Sequence, residues 1–498
     1  MNEKNLLIEK YFEEHPVTES NINSFNTFID VELQKIIKEE LGEIIPTIIP
    51  PKVQDFRIKF GRIQIGKPVI IEADGSKKEI TPAEARIRKL TYSASITAEV
   101  STYVDDVQKE TYSTVIGKIP IMVMSNRCHL NGSGREELIK RNEDPDDPGG
   151  YFIINGNERV LITVEDLASN KLFIQENKTG PIKFTGKLFS QSGVYRILHT
   201  LEQMKDGVIY LSFSRFQKVP FITIIKALGL LNDQEITQMI SPEKQYDDIY
   251  MNLINSVEIK TQDDALESLS KKINIAQPKE VKMEKTMENI DKFLLPHLGI
   301  DELSRKNKAY NLCKLVKKYL AVVRGDAKPT NKDHYASKRL RLSGDLLSDL
   351  FRTNVIILRN DILYNFQRLV KRGKFYSTKI IIREKLLTQR VKSAMATGNW
   401  TGGRKGVSQN ADRINFLSLQ SHLQRITSLL SSSQENFEAR EIHSTHFGRF
   451  CPIETPEGTP IGLRKNLTLL ANVSDGKIDD QEKMFKIFER SGMKQKND

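Results

Sequence analysis

The hydrophobic positions of this chain change period along its length, and each period names an element. Leu33, Ile36, Ile37 and Leu41 recur at helical spacing and predict a helix that stops at Pro46, Pro50 and Pro51. Alternation follows at Phe56, Ile58 and Phe60, then at Leu90, Tyr92, Ala94, Ile96 and Ala98, the pattern of strands buried on one face. In YFIINGNERVLITV, Tyr151 to Val164, two β-rich runs flank Asn155-Gly156, a dipeptide that accepts the positive φ of a tight hairpin turn. From about Lys171 to Pro296 the pattern predicts strands alternating with short helices. The polar run Lys260 to Lys285 within it reads as an exposed connector. Leu312, Leu315, Val316, Tyr319, Leu320 and Val323 restore helical spacing and end at Arg324-Gly325. A second helix is expected to begin at Ser343 as N-cap and to carry Leu346, Leu347, Leu350 and Phe351. Further helix is expected over 362–370 and 416–430. No fixed repeat recurs, which argues against a solenoid or propeller.

At 498 residues the chain has room for two to four domains. The N-terminus MNEKNLLIEKYFEEH is charged throughout and does not read as a signal peptide. No apolar run is long enough to span a bilayer, so no membrane partner is expected. Three cysteines make no disulfide framework, which fits a reducing, cytoplasmic setting. Net charge changes the picture more. The chain carries +11, and residues 311–410 alone hold 22 Lys and Arg against 6 Asp and Glu, leaving the remainder at −5. Solvated faces usually mix signs, so a basic block of this kind points to a polyanion, with salt-dependent binding.

Within the block, NKDHYASKRLRLSGD packs Lys338, Arg339 and Arg341 before a helix. Arg339 can meet a phosphate or pair with Asp345, and the residues leave both open. TGGRKG supplies Arg404 and Lys405 on a flexible basic loop without the spacing of a P-loop. His443, His446 and Cys451 resemble a metal cluster only superficially. There is no CxxC, and packing within a turn is the better reading. Asp144, Asp146 and Asp147 sit in a Pro-Gly loop expected to be solvated. No nucleophile elbow is present, so no catalytic residue and no metal site is assigned. In CPIETPEGTPIGL, Cys451 to Leu463, prolines every fourth residue exclude a helix and predict a stiff, pre-bent strand. Its Glu454 and Glu457 lie near Arg440, Arg449 and Arg464 in sequence and read as braces for those arginines rather than acid–base catalysts.

The runs ATGNW (396–400), GRKGVSQ (403–409), SHLQRI (421–426) and NFEAREIHSTHFGRFCPIETPEG (436–458) resemble the second-largest subunit of multisubunit DNA-dependent RNA polymerases. DPGGYFIINGNERVLI (147–162) and KDHYASKRLRLSGDLL (332–347) resemble it in the same order, and the wording is closest to archaeal members. The resemblance implies an α+β multidomain fold of mixed sheets and helices. It implies a protrusion from 1–170 and 325–390, a lobe at 171–324, a fork at 391–470 and a C-terminal tail at 471–498. It also implies the N-terminal half of a split subunit, with a separate chain supplying the rest.

By the same resemblance the fork lies beside downstream DNA and the RNA–DNA hybrid. Gln409 aligns with a glutamine next to RNA, and Asp412, His422 and Arg425 align with a region that binds rifampicin in bacterial members. Residues 427–436 would be the fork loop. The nucleic-acid contacts expected are Arg404, Lys405, Gln409, Arg413, His422, Arg425, Arg440, Arg449 and Glu457, with Lys338, Arg339 and Arg341 upstream. Pro460 replaces an asparagine of bacterial members, and Leu423 and Gln424 replace basic residues, so rifampicin binding is not carried over. The implied partners are the DNA template and hybrid, the missing half, the largest subunit, other polymerase subunits and initiation factors. Magnesium would be held by the largest subunit and no cofactor by this chain. The rival readings are a free-standing nucleic-acid-binding protein and a self-contained nuclease or transferase.

Overall fold

In the computed structural model the alternation of Ala94, Ile96, Ala98 and Val100 becomes one fully buried face of strand Ser93–Val104. The structure describes residues 3–50, 53–177, 180–193, 195–241, 247–273, 278–373, 377–433, 435–474 and 481–492. Pro51, Gln434 and much of the predicted tail lie outside them. The described residues form two units, one from 1–166 with 340–498 and the other from 167–339. Each has its own apolar core. The architecture is α+β, as expected.

The first unit is built on an antiparallel sheet in the order Glu43–Ile44, Phe56–Ile65, Ser93–Val104, Val107–Pro120. Helix Leu33–Glu40 buries Leu33, Ile36 and Ile37 in the same core, with Leu41 just beyond its end. Helix Ser343–Lys371 supplies the other large apolar face, and its Phe366 ring lies 4.7 Å from that of Phe56. Helix Glu384–Thr397 presses Leu387 onto Gly117, where a Cβ would come within 3.0 Å of it.

The two helices predicted over 343–351 and 362–370 are one helix of 29 residues. Leu342, not Ser343, takes the N-cap position. Its N–H donates to the Asp345 carboxylate at 3.1 Å, while the Ser343 hydroxyl donates to the Asn21 carbonyl at 3.0 Å. At Gly344 a Cβ would stand 2.1 Å from the Ser24 carbonyl oxygen, so this helix meets helix Glu19–Thr27 backbone against backbone.

The second unit corrects the expectation of alternating elements. Five strands come first, an antiparallel meander of Leu172–Glu176, Phe184–Ser192, Tyr195–Gln203, Ile209–Phe213 and Phe216–Pro220. Helices then follow. The polar run expected as a connector contains helix Gln262–Ile273 and the start of helix Lys279–Phe293; Ala265 and Leu269 are buried, and 274–277 lie outside the described residues. Sparse apolar residues at helical spacing suffice because the neighbouring helix Phe221–Ala227 is buried throughout and covers them. Helix Arg305–Arg324 ends at Gly325 (φ 93°), as its sequence predicts. Its buried Tyr319 donates to the Phe184 carbonyl at 2.7 Å and accepts from the Gln203 N–H at 3.1 Å, tying helix to sheet. No helix among the described residues is long and apolar enough to cross a membrane.

Candidate nucleic-acid interface

The hairpin predicted at Asn155-Gly156 forms, with φ of 53° and 79° at the two residues. A Cβ on Gly156 would lie 2.7 Å from the Lys89 Cα, so both the turn and its neighbour require glycine. Its second strand, Asn157–Leu161, pairs with Ser408–Asn410 and sets Gln409 opposite Val160. The Gln409 amide donates to the Gly406 carbonyl at 3.0 Å and its oxygen accepts from His422 Nε2 at 3.2 Å. His422 Nδ1 in turn accepts the Asp412 N–H at 3.1 Å, which places the ring proton on Nε2. Burial, and then the Arg425 charge, lowers the His422 pKa to about 4. His422 is therefore buried and neutral, and it positions Gln409 and the Asp412 backbone.

Arg413 is engaged as well. Its guanidinium grips Glu158 at 2.6 and 2.9 Å and Asp147 at 2.8 Å, and lies 5.1 Å from the centre of the Tyr151 ring. Burial works against its charge, but the bonds to Glu158 and Asp147 outweigh it and raise its pKa. Arg86 completes the cluster from helix Pro82–Ile87, donating to Glu158, Glu143 and the Tyr151 hydroxyl. The loop expected to be solvated is thus partly internal. Glu143 is buried, and Asp147 accepts from both Arg413 and Tyr151 at 2.8 Å.

The helix expected over 416–430 ends at Leu423, and Arg425–Ser428 is a strand. That strand runs parallel to Thr163–Leu167 and antiparallel to Arg464–Asn466. A buried ion pair, Lys465 to Glu165 at 2.9 Å, fastens the two strands that flank it. Cys451 to Leu463 is not a strand but a run of bends and turns, with Gly458 and Gly462 at positive φ. Glu454 and Glu457 brace no arginine. Glu454 accepts from the Ser421 hydroxyl, and Glu457 is exposed with no partner among the described residues. Arg440 donates instead to the carbonyls of Thr459, Ile461 and Ser432 at 2.6, 2.9 and 2.9 Å. A Cβ on Gly462 would stand 2.3 Å from the Arg440 carbonyl oxygen. Arg440 therefore pins two loops together. His443 and His446 lie in one turn, with the His446 Nδ1 accepting the His443 N–H at 3.3 Å. Among the described residues no group of three His, Cys, Asp or Glu side chains is placed to hold a metal.

The expected cations now divide. Arg341 pairs with Asp349 at 2.7 Å, and Arg404 with Asp166 at 3.5 Å rather than standing free on a flexible loop. Lys338 is buried and lies 3.6 Å from Asp333 in the second unit. Arg339 is exposed and bonds only the carbonyls of Ala336 and Lys338, not Asp345. Lys405 and Arg425 have no partner among the described residues, and Arg449 only the Thr445 carbonyl at 3.3 Å. Arg464, read from sequence as an arginine braced by Glu454 or Glu457, is exposed and likewise unpartnered. Sequence reasoning also missed a set of bare apolar side chains here: Ile442, Phe447 and Ile453 are 70%, 89% and 85% exposed. The signal was present, since each is a large apolar residue in a turn-rich polar stretch.

The family described as "RNA polymerase beta subunit" matches residues 16–389, and "RNA polymerase Rpb2, domain 3" matches 409–473. The chain is 42% identical over 480 residues to the DNA-directed RNA polymerase subunit Rpo2 of Saccharolobus solfataricus, covering 96% of this chain and 42% of that one. It is 40% identical over 496 residues to the subunit Rpo2N of Methanocaldococcus jannaschii, covering 98% of both. It is 38% identical to the subunit Rpo2N of Halobacterium salinarum, covering 99% and 96%. The chain thus spans less than half the length of the Rpo2 relative and nearly all of the Rpo2N relatives.

Proposed function

The chain belongs to the RNA polymerase beta subunit family, and from that premise we propose that it forms one side of the DNA/RNA cleft of an archaeal DNA-directed RNA polymerase. In this reading the segment 391–470 is the fork beside the RNA–DNA hybrid, the second unit contains the lobe at 171–324, the protrusion is drawn from 1–170 and 325–390, and 471–498 is a C-terminal tail. The assembled enzyme performs template-directed nucleotidyl transfer; this chain guides the strands and contributes no reacting group. The largest subunit holds the magnesium. The observation that carries the reading is the division of the cations. Arg413, Arg404, Arg341 and Arg440 fix the fold, while Lys405, Arg425, Arg449 and Arg464 have no acidic partner among the described residues. An electropositive surface whose supports are rigid and whose outer charges are unpaired suits a phosphate backbone.

Glu457 fits the same surface only as an acceptor for ribose or base groups, since a phosphate would repel it. The exposed Ile442, Phe447 and Ile453 are the expected seat of other subunits, the C-terminal half of the split subunit among them. Initiation factors would meet the outer faces of either unit.

The test is reconstitution with the remaining polymerase subunits, followed by hybrid binding and primer extension. Lys405→Gln, Arg425→Gln and Arg449→Gln together should weaken hybrid binding at every sequence and lower the salt slope by about two to three. RNA synthesis should fall with it, while thermal stability stays the same. A chain that never co-purifies with the other subunits, yet binds DNA tightly alone, would establish the free-standing binding protein instead.

A further inference from the structure

Helix Arg305–Arg324 of the second unit reads RKNKAYNLCKLVKKYLAVVR, with seven basic residues and no acidic one. Three of the seven have partners near its start or end. Arg305 grips Asp291 at 2.7 Å, Lys308 is fully buried and donates to the Asp291 carbonyl at 2.5 Å, and Arg324 is also engaged. Lys314, Lys317 and Lys318 are different. All three are exposed, and none has a hydrogen bond or ion pair among the described residues. Their spacing places them within about one turn on the same side of the helix.

These lysines edge a cleft of about 450 Å³ whose other walls include Leu188, Leu295 and Leu315. Its polar neighbours are each held by an internal hydrogen bond. Asn170 is tied to the backbone of Gln191, the Asn311 amide to the Asn307 carbonyl, and the His297 ring to Ser190. No acidic residue lines it. One wall is also unusual in its backbone. Leu295 has a positive φ of 44°, a region leucine rarely occupies, and its N–H is captured by the buried His199 Nε2 at 3.1 Å. Such a conformation persists only where its surroundings over-determine it, and ligand clamps are a common place for it. The cleft is therefore apolar on its floor, cationic on one rim and fixed in shape.

We infer that this cleft binds a nucleotide unit, its phosphates on Lys314, Lys317 and Lys318 and its base against the half-buried Leu315. Lysine ammonium groups are donors without acceptors and suit phosphate oxygens, while the apolar wall suits the face of a base. The same chemistry is offered by a free nucleotide and by one residue of a single strand. The inference stands apart from the proposed interface of the first unit and is tested on the chain alone, so either can fail without the other.

The experiment follows lysine acetylation of the full chain by mass spectrometry, with a single-stranded oligonucleotide, a nucleoside triphosphate, inorganic triphosphate or poly-glutamate added. Lys205, exposed on a turn of the same unit, is the reference. Protection of the three lysines by about threefold or more over Lys205 is the expected result. Protection by the oligonucleotide alone assigns a strand, and protection by the triphosphate nucleotide assigns a free nucleotide. Equal protection by inorganic triphosphate or poly-glutamate overturns the proposal, as does protection by nothing. The variant with Lys314, Lys317 and Lys318 all changed to Gln should lose binding of a photoreactive nucleotide at peptides 183–192 and 305–324. The corresponding Lys→Arg variant should keep it, and both should melt like the parent.

Discussion

Removing the Arg413 guanidinium leaves Glu158 and Asp147 with less compensation in a poorly hydrated cluster. Their side chains are only 15% and 9% exposed. Uncompensated buried charge is costly, although Arg413 itself is 39% exposed, which reduces the loss. Arg413→Ala should destabilise the first unit by about 1–3 kcal/mol in urea titration, and Arg413→Lys by less, because lysine keeps the compensating charge although it cannot fork across two carboxylates. His422 gives a second test at this scale. Its folded pKa is lowered to about 4 from an ordinary 6.5, so between those values the unfolded chain binds more protons. Stability from the neutral ring is full above about pH 6.5 and is lost as pH falls toward 4, on the order of 3 kcal/mol in all. His422→Gln should flatten that dependence in the first unit. A slope unchanged by the substitution would show that the ring takes no part in it.

Helix Ser343–Lys371 shows how an element depends on the absence of one atom. The 2.1 Å separation awaiting a Cβ at Gly344 involves the Ser24 backbone, which has no rotamer to change. Gly344→Ala should therefore cost about 1–3 kcal/mol by overpacking, despite the better helix propensity of alanine, and thermal melting would register it. The elements legible from sequence were those fixed by local chemistry. The Asn155-Gly156 turn and the Gly325 helix end each need a positive φ that few residues adopt. Those misread depend on distant partners. Phe416 to Leu430 is apolar enough for a helix, but residues 426–428 are drawn into a sheet by Thr163 to Glu165, far away in sequence. The same limit applies to the candidate interface. Motifs located its segments, whereas the division between engaged and unpaired cations depends on Glu158, Asp166 and Asp349, none of which adjoins its arginine in sequence.

At the scale of the molecule, the two cores share no member. One draws on residues from Phe25 to Val164 and Leu346 to Leu423, the other on Ile174 to Val322. Residues 167–339 form one continuous stretch with a complete meander and its covering helices. Expressed alone, that stretch should fold, showing a cooperative thermal transition and dispersed amide resonances. Residues 1–166 alone should not, because helix Leu33–Glu40 supplies only part of the cover of their core and the rest comes from helices beyond residue 342.

This arrangement imposes an order on synthesis. A ribosome completes the sheet of the first unit, then makes all of 167–339 before the helix that covers it appears. At about 5–20 residues per second the wait is roughly ten to forty seconds. During that interval the nascent chain carries a finished second unit and an open apolar sheet. Until residues 343–371 are made, the part of the first core that they cover is open to aggregation.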